Sequence, residues 1–285
     1  MKAFLYLFTA AFLWGLNFHL AKVMLQDTGF LEAGFWRYFL GVLVLITLTF
    51  YDLPSYRVFR VHHKGLLLVG AIGLFGFNYL FFLGMQYTTA INATLIVSLN
   101  PALTLFFSYL ILKTPMTRQH ISGILLALVG VVYLLSKGNL YNLQKIQFSR
   151  GDMIILAANT VFALHHVWVK KYAVNISNRH FTFLTNLICL LCFVLVLPLS
   201  QLGNWTSYDL PFWLAAFGIG ALGTAWAYLL WNVGVQKIGA NKAGIFMNVV
   251  PLSGALLAVF FGESLYFYHL WSALLIISGL LWMRF

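Results

Sequence analysis

The chain has 285 residues, of which 62% are hydrophobic and 8% charged, far below the roughly 25% charged residues of a soluble globular domain. A water-soluble fold and a separate soluble catalytic domain are both excluded. The formal net charge of +11 would suggest nucleic acid in a soluble protein. Here the basic residues lie between apolar runs and report membrane topology instead.

Ten apolar runs follow one another, at about 3–24, 31–51, 65–83, 90–112, 119–136, 152–170, 181–200, 212–232, 240–262 and 266–283. Each has roughly the 20 residues a helix needs to cross a ~30 Å hydrocarbon layer. The runs are continuous rather than alternating, so the expected fold is an all-α integral membrane protein with ten transmembrane helices. The first run is too long for a secretory signal and has no small-residue cleavage site, so it is taken as a span.

Polar residues inside these spans are costly and usually face the bundle interior. Helix 1 places Asn17 one turn from Trp14, on the same face. In helix 2, Arg37 lies near the outer end; it could attract anions, but snorkelling to the interface is the expected use. Helix 3 carries Asn78 among Phe75, Phe77, Tyr79, Phe81 and Phe82, and helix 4 carries Thr94, Ser98, Asn100 and Pro101. Helix 5 is uniformly apolar. Helix 6 brings Phe162, His165 and His166, and helix 8 brings Thr224, Trp226 and Tyr228. Helix 9 contributes Gly244, Asn248 and Pro251; helix 10 is again apolar.

Two readings fit these polar groups. They can tie helices together through interhelical hydrogen bonds worth roughly 0.6–2 kcal/mol each, or they can line a cavity. Their occurrence at matching places in both halves favours the cavity. Its expected lining is Trp14, Asn17, Asn78, Ser98, Asn100, Phe162, His165, Trp226, Tyr228 and Asn248. Amides and imidazole would hold a polar head, and rings would cover an apolar body. His165 can also carry a proton. Pro101 and Pro251 remove the donors for the carbonyls of Val97 and Met247, which predicts kinks that act as hinges. Cys189 and Cys192 have the C-x-x-C spacing inside an apolar run, where two core thiols are expected, so no metal and no cofactor is assigned.

The six carboxylates, Asp27, Glu32, Asp52, Asp152, Asp209 and Glu263, all fall at or beyond helix ends. None takes the midspan position common in ion-driven carriers, which points to a facilitator or exchanger, or to coupling through His165 or Glu32. With the N-terminus inside, twelve basic residues fall on the cytoplasmic side and five outside, so both termini are expected in the cytoplasm.

The chain also repeats itself. Residues 70–115 lie over 220–265 at a constant offset of 150: Gly70-Ala71-Ile72-Gly73 matches Gly220-Ala221-Leu222-Gly223, and Pro101 falls on Pro251. A weaker match sets Trp14, Asn17 and Lys22 over Phe162, His165 and Lys170. Each half would hold five helices, residues 1–137 and 151–285. An odd number inverts the second half in the membrane.

At this point the chain resembles the drug/metabolite transporter superfamily, in its EamA-type ten-helix branch. The residues carrying the resemblance are Leu13-Trp14-Gly15-Leu16-Asn17-Phe18, Gly84-x-x-Tyr87-x-x-Ala90 leading to Pro101, Gly234 to Ala240 leading to Pro251, and Gly262-Glu263. Lys113 and Lys237 depart from the pattern. The resemblance implies a transporter of a bacterial cytoplasmic (inner) membrane that exports small amphipathic metabolites, such as amino acids or their analogues, by alternating access. A sugar-phosphate or nucleotide-sugar carrier is the alternative; it would need deep Lys or Arg, and none of the 17 basic residues is clearly at midspan. An enzyme would need clustered acid–base groups, which are absent. The expected partners are a small-molecule substrate and the lipid bilayer, with no nucleic acid, in a monomer or homodimer.

Overall fold

The computed structural model describes residues 2–139, 149–199, 203–238 and 245–282. It is all-helical, and no strand occurs among the described residues. Among the described residues, seven helices are long and apolar enough to cross a membrane, and three shorter apolar helices accompany them. The chain is a multi-pass membrane protein.

In chain order, α1 is Lys2–Asp27 and α2 is Phe30–Thr49. Next, α3 spans Tyr56–Met85 and α4 spans Ala90–Leu112. Helix α5 is Arg118–Leu135 and α6 is Arg150–Tyr172, and α7 spans Asn178–Leu199. Helix α8 starts as Leu210–Phe217 and ends as Ala227–Ile238. Last come α9, Val249–Phe260, and α10, Phe267–Trp282. The amphipathic first turns of α3, which hold Arg57, Arg60 and Lys64, extend that helix beyond the expected apolar run.

Packing follows small residues. Gly15 of α1 is the point where α9 crosses: a methyl group there would overlap Ser253 Oγ and come within 2.7 Å of the Val250 carbonyl. Helices α5 and α10 lie antiparallel, with Gly130 against Ile276 and Trp282 Nε1 donating to Ser122 Oγ at 3.0 Å. Their outer faces, including Leu125, Val129, Trp271 and Leu274, are exposed and apolar, as lipid contact requires.

Both expected proline kinks take a definite form. In α4 the helix breaks at Ser98–Leu99, and Pro101 sits in the first turn of the segment that resumes at Asn100. In α9 a 3-10 turn, Ile245–Asn248, precedes the helix, whose first turn holds Pro251. A second irregularity was not expected: Leu68–Phe75 in α3 and Gly218–Trp226 in α8 are π-helical. Such wide turns re-aim side chains and recur at functional sites.

At the α4 break, Asn159 of α6 bridges the two segments. Its Nδ2 donates to the Ile96 carbonyl at 2.9 Å, and its Oδ1 accepts from Asn100 Nδ2 at 2.9 Å. Asn159→Leu should therefore lower stability by about 1–2 kcal/mol. The check is a thermal melt in detergent, and an unchanged melting temperature would contradict it.

The two ends of the bundle differ. At the end holding the start of α1, Lys237 Nζ lies 5.5 Å from the Tyr6 ring, and His180 pairs with Asp52 at 3.2 Å. The far end is tied across both halves. There Glu263 accepts from the Ala90 and Ile91 N–H groups at 2.8 and 3.1 Å, and Thr88 donates to Asp152. Glu32 accepts from Gly203 N at 3.1 Å, and Tyr208 donates to Thr28 at 3.3 Å. Burial raises the Tyr208 phenol above its ordinary value.

Candidate functional site

Two connected cavities occupy the middle of the bundle and share Trp14 and Tyr228. The inner one, about 40 Å³, is walled by Phe18, Phe77, Phe81 and Phe162, with Asn17 and Arg37 as its polar groups. The other, about 270 Å³, runs past His165, His166 and Asn186 to Ala173 and Asn178, at the end where α1 begins.

The walls are set by ring packing. Phe77 and Phe162, one from each half, stack at 4.3 Å between centroids. Trp14 meets Tyr228 edge-on at 5.3 Å and lies 5.0 Å from Trp231. The π-helical turns supply the floor. Trp14 Nε1 donates to the Gly223 carbonyl at 3.1 Å, and Asn17 lies over the bare backbone of Gly223, where a Cβ would overlap the amide oxygen. In the other half, Gly73 holds the same place under His165, with a Cβ 2.8 Å from Nδ1.

Several polar atoms in these cavities are buried without a partner among the described residues: Asn17 Oδ1, His165 Nδ1, His166 Nε2 and Asn186 Oδ1. Leaving each unpaired costs about 1–3 kcal/mol.

The expected lining divides in three. Trp14, Asn17, Phe162, His165 and Tyr228 line the cavities. Asn78, Ser98 and Asn100 do not. Asn78 donates to Tyr38 Oη at 2.6 Å and to the Leu74 carbonyl at 2.8 Å, Ser98 donates to the Leu95 carbonyl at 2.6 Å, and Asn100 bonds Asn159. For these three the helix-tying role prevails, because partners within one turn or on the neighbouring helix take up their donors, although the Asn78 Oδ1 stays unpaired among the described residues. Trp226 is placed outside: it is 45% exposed, two positions before the cavity-lining Tyr228 and so on the opposite face of the helix. The side chain of Asn248 lies outside the described residues; its neighbour Met247 lines the inner cavity.

Arg37 departs furthest from its expected place. It is only 4% exposed and does not snorkel. The Nε donates to Thr224 Oγ1 at 3.1 Å, and the guanidinium lines the inner cavity. Its position, seven residues into α2, puts it roughly 10 Å from the helix start, and an ionisable residue at such depth is a functional candidate by default. That depth was the available signal. No group of three His, Cys, Asp or Glu suited to a metal occurs among the described residues.

Comparison with known proteins gives the wider frame. The uncharacterized transporter YyaM of Bacillus subtilis (strain 168) is 30% identical over 271 residues, covering 94% of this chain and 88% of that protein. An uncharacterized transporter of Methanothermobacter thermautotrophicus is 24% identical, over 88% of this chain and 76% of its own length. An S-adenosylmethionine/S-adenosylhomocysteine transporter of Chlamydia muridarum is 31% identical over 133 residues, 46% of this chain and 42% of that one. A solved crystal structure with 20% identity superposes with a TM-score of 0.71, covering 97% of this chain and 94% of the other, which shows the shared fold. The family model for EamA-like transporters matches twice, at residues 1–136 and 149–285. The protein is thus a membrane transporter and not an enzyme, and the chain belongs to the EamA-like transporter family.

Proposed function

We propose that the protein exports small amphipathic metabolites, such as amino acids or their analogues, by alternating access around the central cavity. The observation that carries the reading is the asymmetry of that cavity. Aromatic walls and polar groups lie at midspan, open toward the end where α1 begins, while the far end is tied by Glu263, Asp152 and Glu32. A site reached from one side and sealed on the other is one half of an exchange cycle.

The scaffold for the exchange is a pair of inverted five-helix repeats, residues 1–137 and 151–285, making ten spans. Matched contacts support it. Gly223 lies under Asn17 as Gly73 lies under His165, and Gly220 meets Arg37 and Leu40 as Gly70 meets Thr185 and Ile188. The π-helical stretches also begin at equivalent positions, Leu68 and Gly218. Pro101, beside the helix break at Ser98–Leu99, and Pro251, beside the 3-10 turn Ile245–Asn248, serve as the hinges.

With both termini in the cytoplasm of a bacterial inner membrane, the open cavity faces inward, ready to load a solute for export. The lipid-facing α5–α10 pair leaves the protein functional as a monomer and able to form a homodimer. A sugar-phosphate or nucleotide-sugar carrier is the second reading, favoured by the single cavity arginine, Arg37.

The test is flux in proteoliposomes, with and without a pH gradient, across amino acids, phosphorylated sugars and S-adenosylmethionine. Amphipathic amino acids are expected to move. Flux of phosphorylated sugars alone would overturn the proposal in favour of the second reading.

A further inference from the structure

Among the described residues lining the two central cavities, Arg37 is the only Lys or Arg, and it carries its charge without a counterion. The protein has six carboxylates, and none lies within salt-bridge distance of Arg37, since the ion pair formed among the described residues is His180–Asp52. Glu32, nearest in sequence, is taken by Trp36 Nε1 and Gly203 N, and Glu263 by the α4 terminus. A guanidinium buried in this way is costly unless something of opposite charge joins it.

Its orientation is fixed for that purpose. Thr224 donates its own proton to the Ile219 carbonyl at 2.9 Å, five residues back in the π-helical turn. Its oxygen then accepts from Arg37 Nε, which leaves the two terminal nitrogens as a planar fork of donors. The guanidinium carbon is 5.9 Å from the Phe81 ring, at the edge of the aromatic wall formed by Phe77 and Phe162. One position away from Thr224, the unpaired Asn17 Oδ1 sits over Gly223.

We infer that Arg37 is the charge anchor of the transport cavity, and that the solute is a small monocarboxylate whose apolar body lies against Phe77, Phe81 and Phe162. The inference rests on the transport reading for the cavity's use, but not for its binding chemistry. A carboxylate accepts two parallel N–H bonds from the fork and neutralises the site. A phosphate ester would leave excess negative charge in an apolar chamber with no second cation. Thr224 is a positioning residue, acting through Arg37.

Binding in detergent micelles decides the matter, using phenylpropionate, isocaproate, their neutral amides and phenyl phosphate as probes. For the wild-type chain, at least one carboxylate should bind about tenfold or more tightly than its amide and than phenyl phosphate. Arg37→Gln should abolish that preference while the amide still binds, and Thr224→Ala should weaken it partway. Equal binding of acid and amide, tighter phosphate binding, no carboxylate binding, or a preference that survives Arg37→Gln would each overturn the inference. If Arg37→Gln fails to fold, the wild-type comparison of acid with amide still decides. Carboxylate preference without flux in proteoliposomes would sink the transport reading alone; flux of neutral solutes without carboxylate preference would sink the anchor alone.

Discussion

Glu263→Ala is expected to unseal the far end of the molecule and to reduce transport about tenfold or more. The N–H groups at the start of α4 have no partners within the helix, and Glu263 meets two of them, at Ala90 and Ile91, from the opposite half of the chain. A carboxylate at a helix N-terminus is favoured by the helix dipole, and hydrogen bonds to a charged group are worth about 1.5–3 kcal/mol. Losing one such bond from the closed state shifts the open–closed balance about tenfold or more. Ile91, only 1% exposed behind this seal, is the reporter. An Ile91→Cys thiol should react with maleimide much faster when Glu263 is alanine, and at an intermediate rate when it is glutamine. Equal reaction rates in all three would refute a latch at this position.

The second large effect is on folding. Gly15→Ala should destabilise the protein by about 2–3 kcal/mol, in the range of an overpacked core. The added methyl would meet three atoms of α9, of which the Val250 carbonyl at 2.7 Å and the Gly254 nitrogen at 2.9 Å are backbone and cannot rotate away. Helices α1 and α9 would have to separate, opening the contact that sets Trp14 and Asn17 in the cavity. Removing the third atom with Ser253→Ala should recover little, because the backbone contacts remain. Gly29→Ala is the control, since nothing lies within 4 Å of its would-be Cβ. A Gly15→Ala chain that melts like the Gly29→Ala chain would show that α1 and α9 are not locked there.

How much of this could be read in advance depended on whether a residue's role is set by its neighbours in sequence or across the bundle. The spans were legible because membrane crossing is a property of a continuous stretch: length and apolarity decide it locally. The helix breaks were legible for the same reason, since Pro101 and Pro251 remove donors within their own helices. The π-helical turns were not, because Gly70, Gly73, Gly220 and Gly223 permit them but the packing of α7, α6, α2 and α1 against those glycines makes use of them.

The lining shows the limit most clearly. Asn17 and Asn78 look alike as lone amides in apolar helices. The Asn78 amide nitrogen found Tyr38 and the Leu74 carbonyl, away from the cavity; Asn17 lies over the bare backbone of Gly223 and lines the cavity, though the amide oxygen of each is unpaired among the described residues. Trp226 and Tyr228 are two positions apart, and the turn that aims one inward leaves the other on the outer face.

By itself the sequence determined an all-helical membrane protein, a duplicated chain and a family, since apolar length, charge placement and repeated motifs are all carried along one dimension. The depth of Arg37, its missing counterion and the seal made by Glu263 were decided only by the tertiary structure. Each depends on which helices touch, and the energy of a buried charge is set by what stands within a few ångströms of it in space.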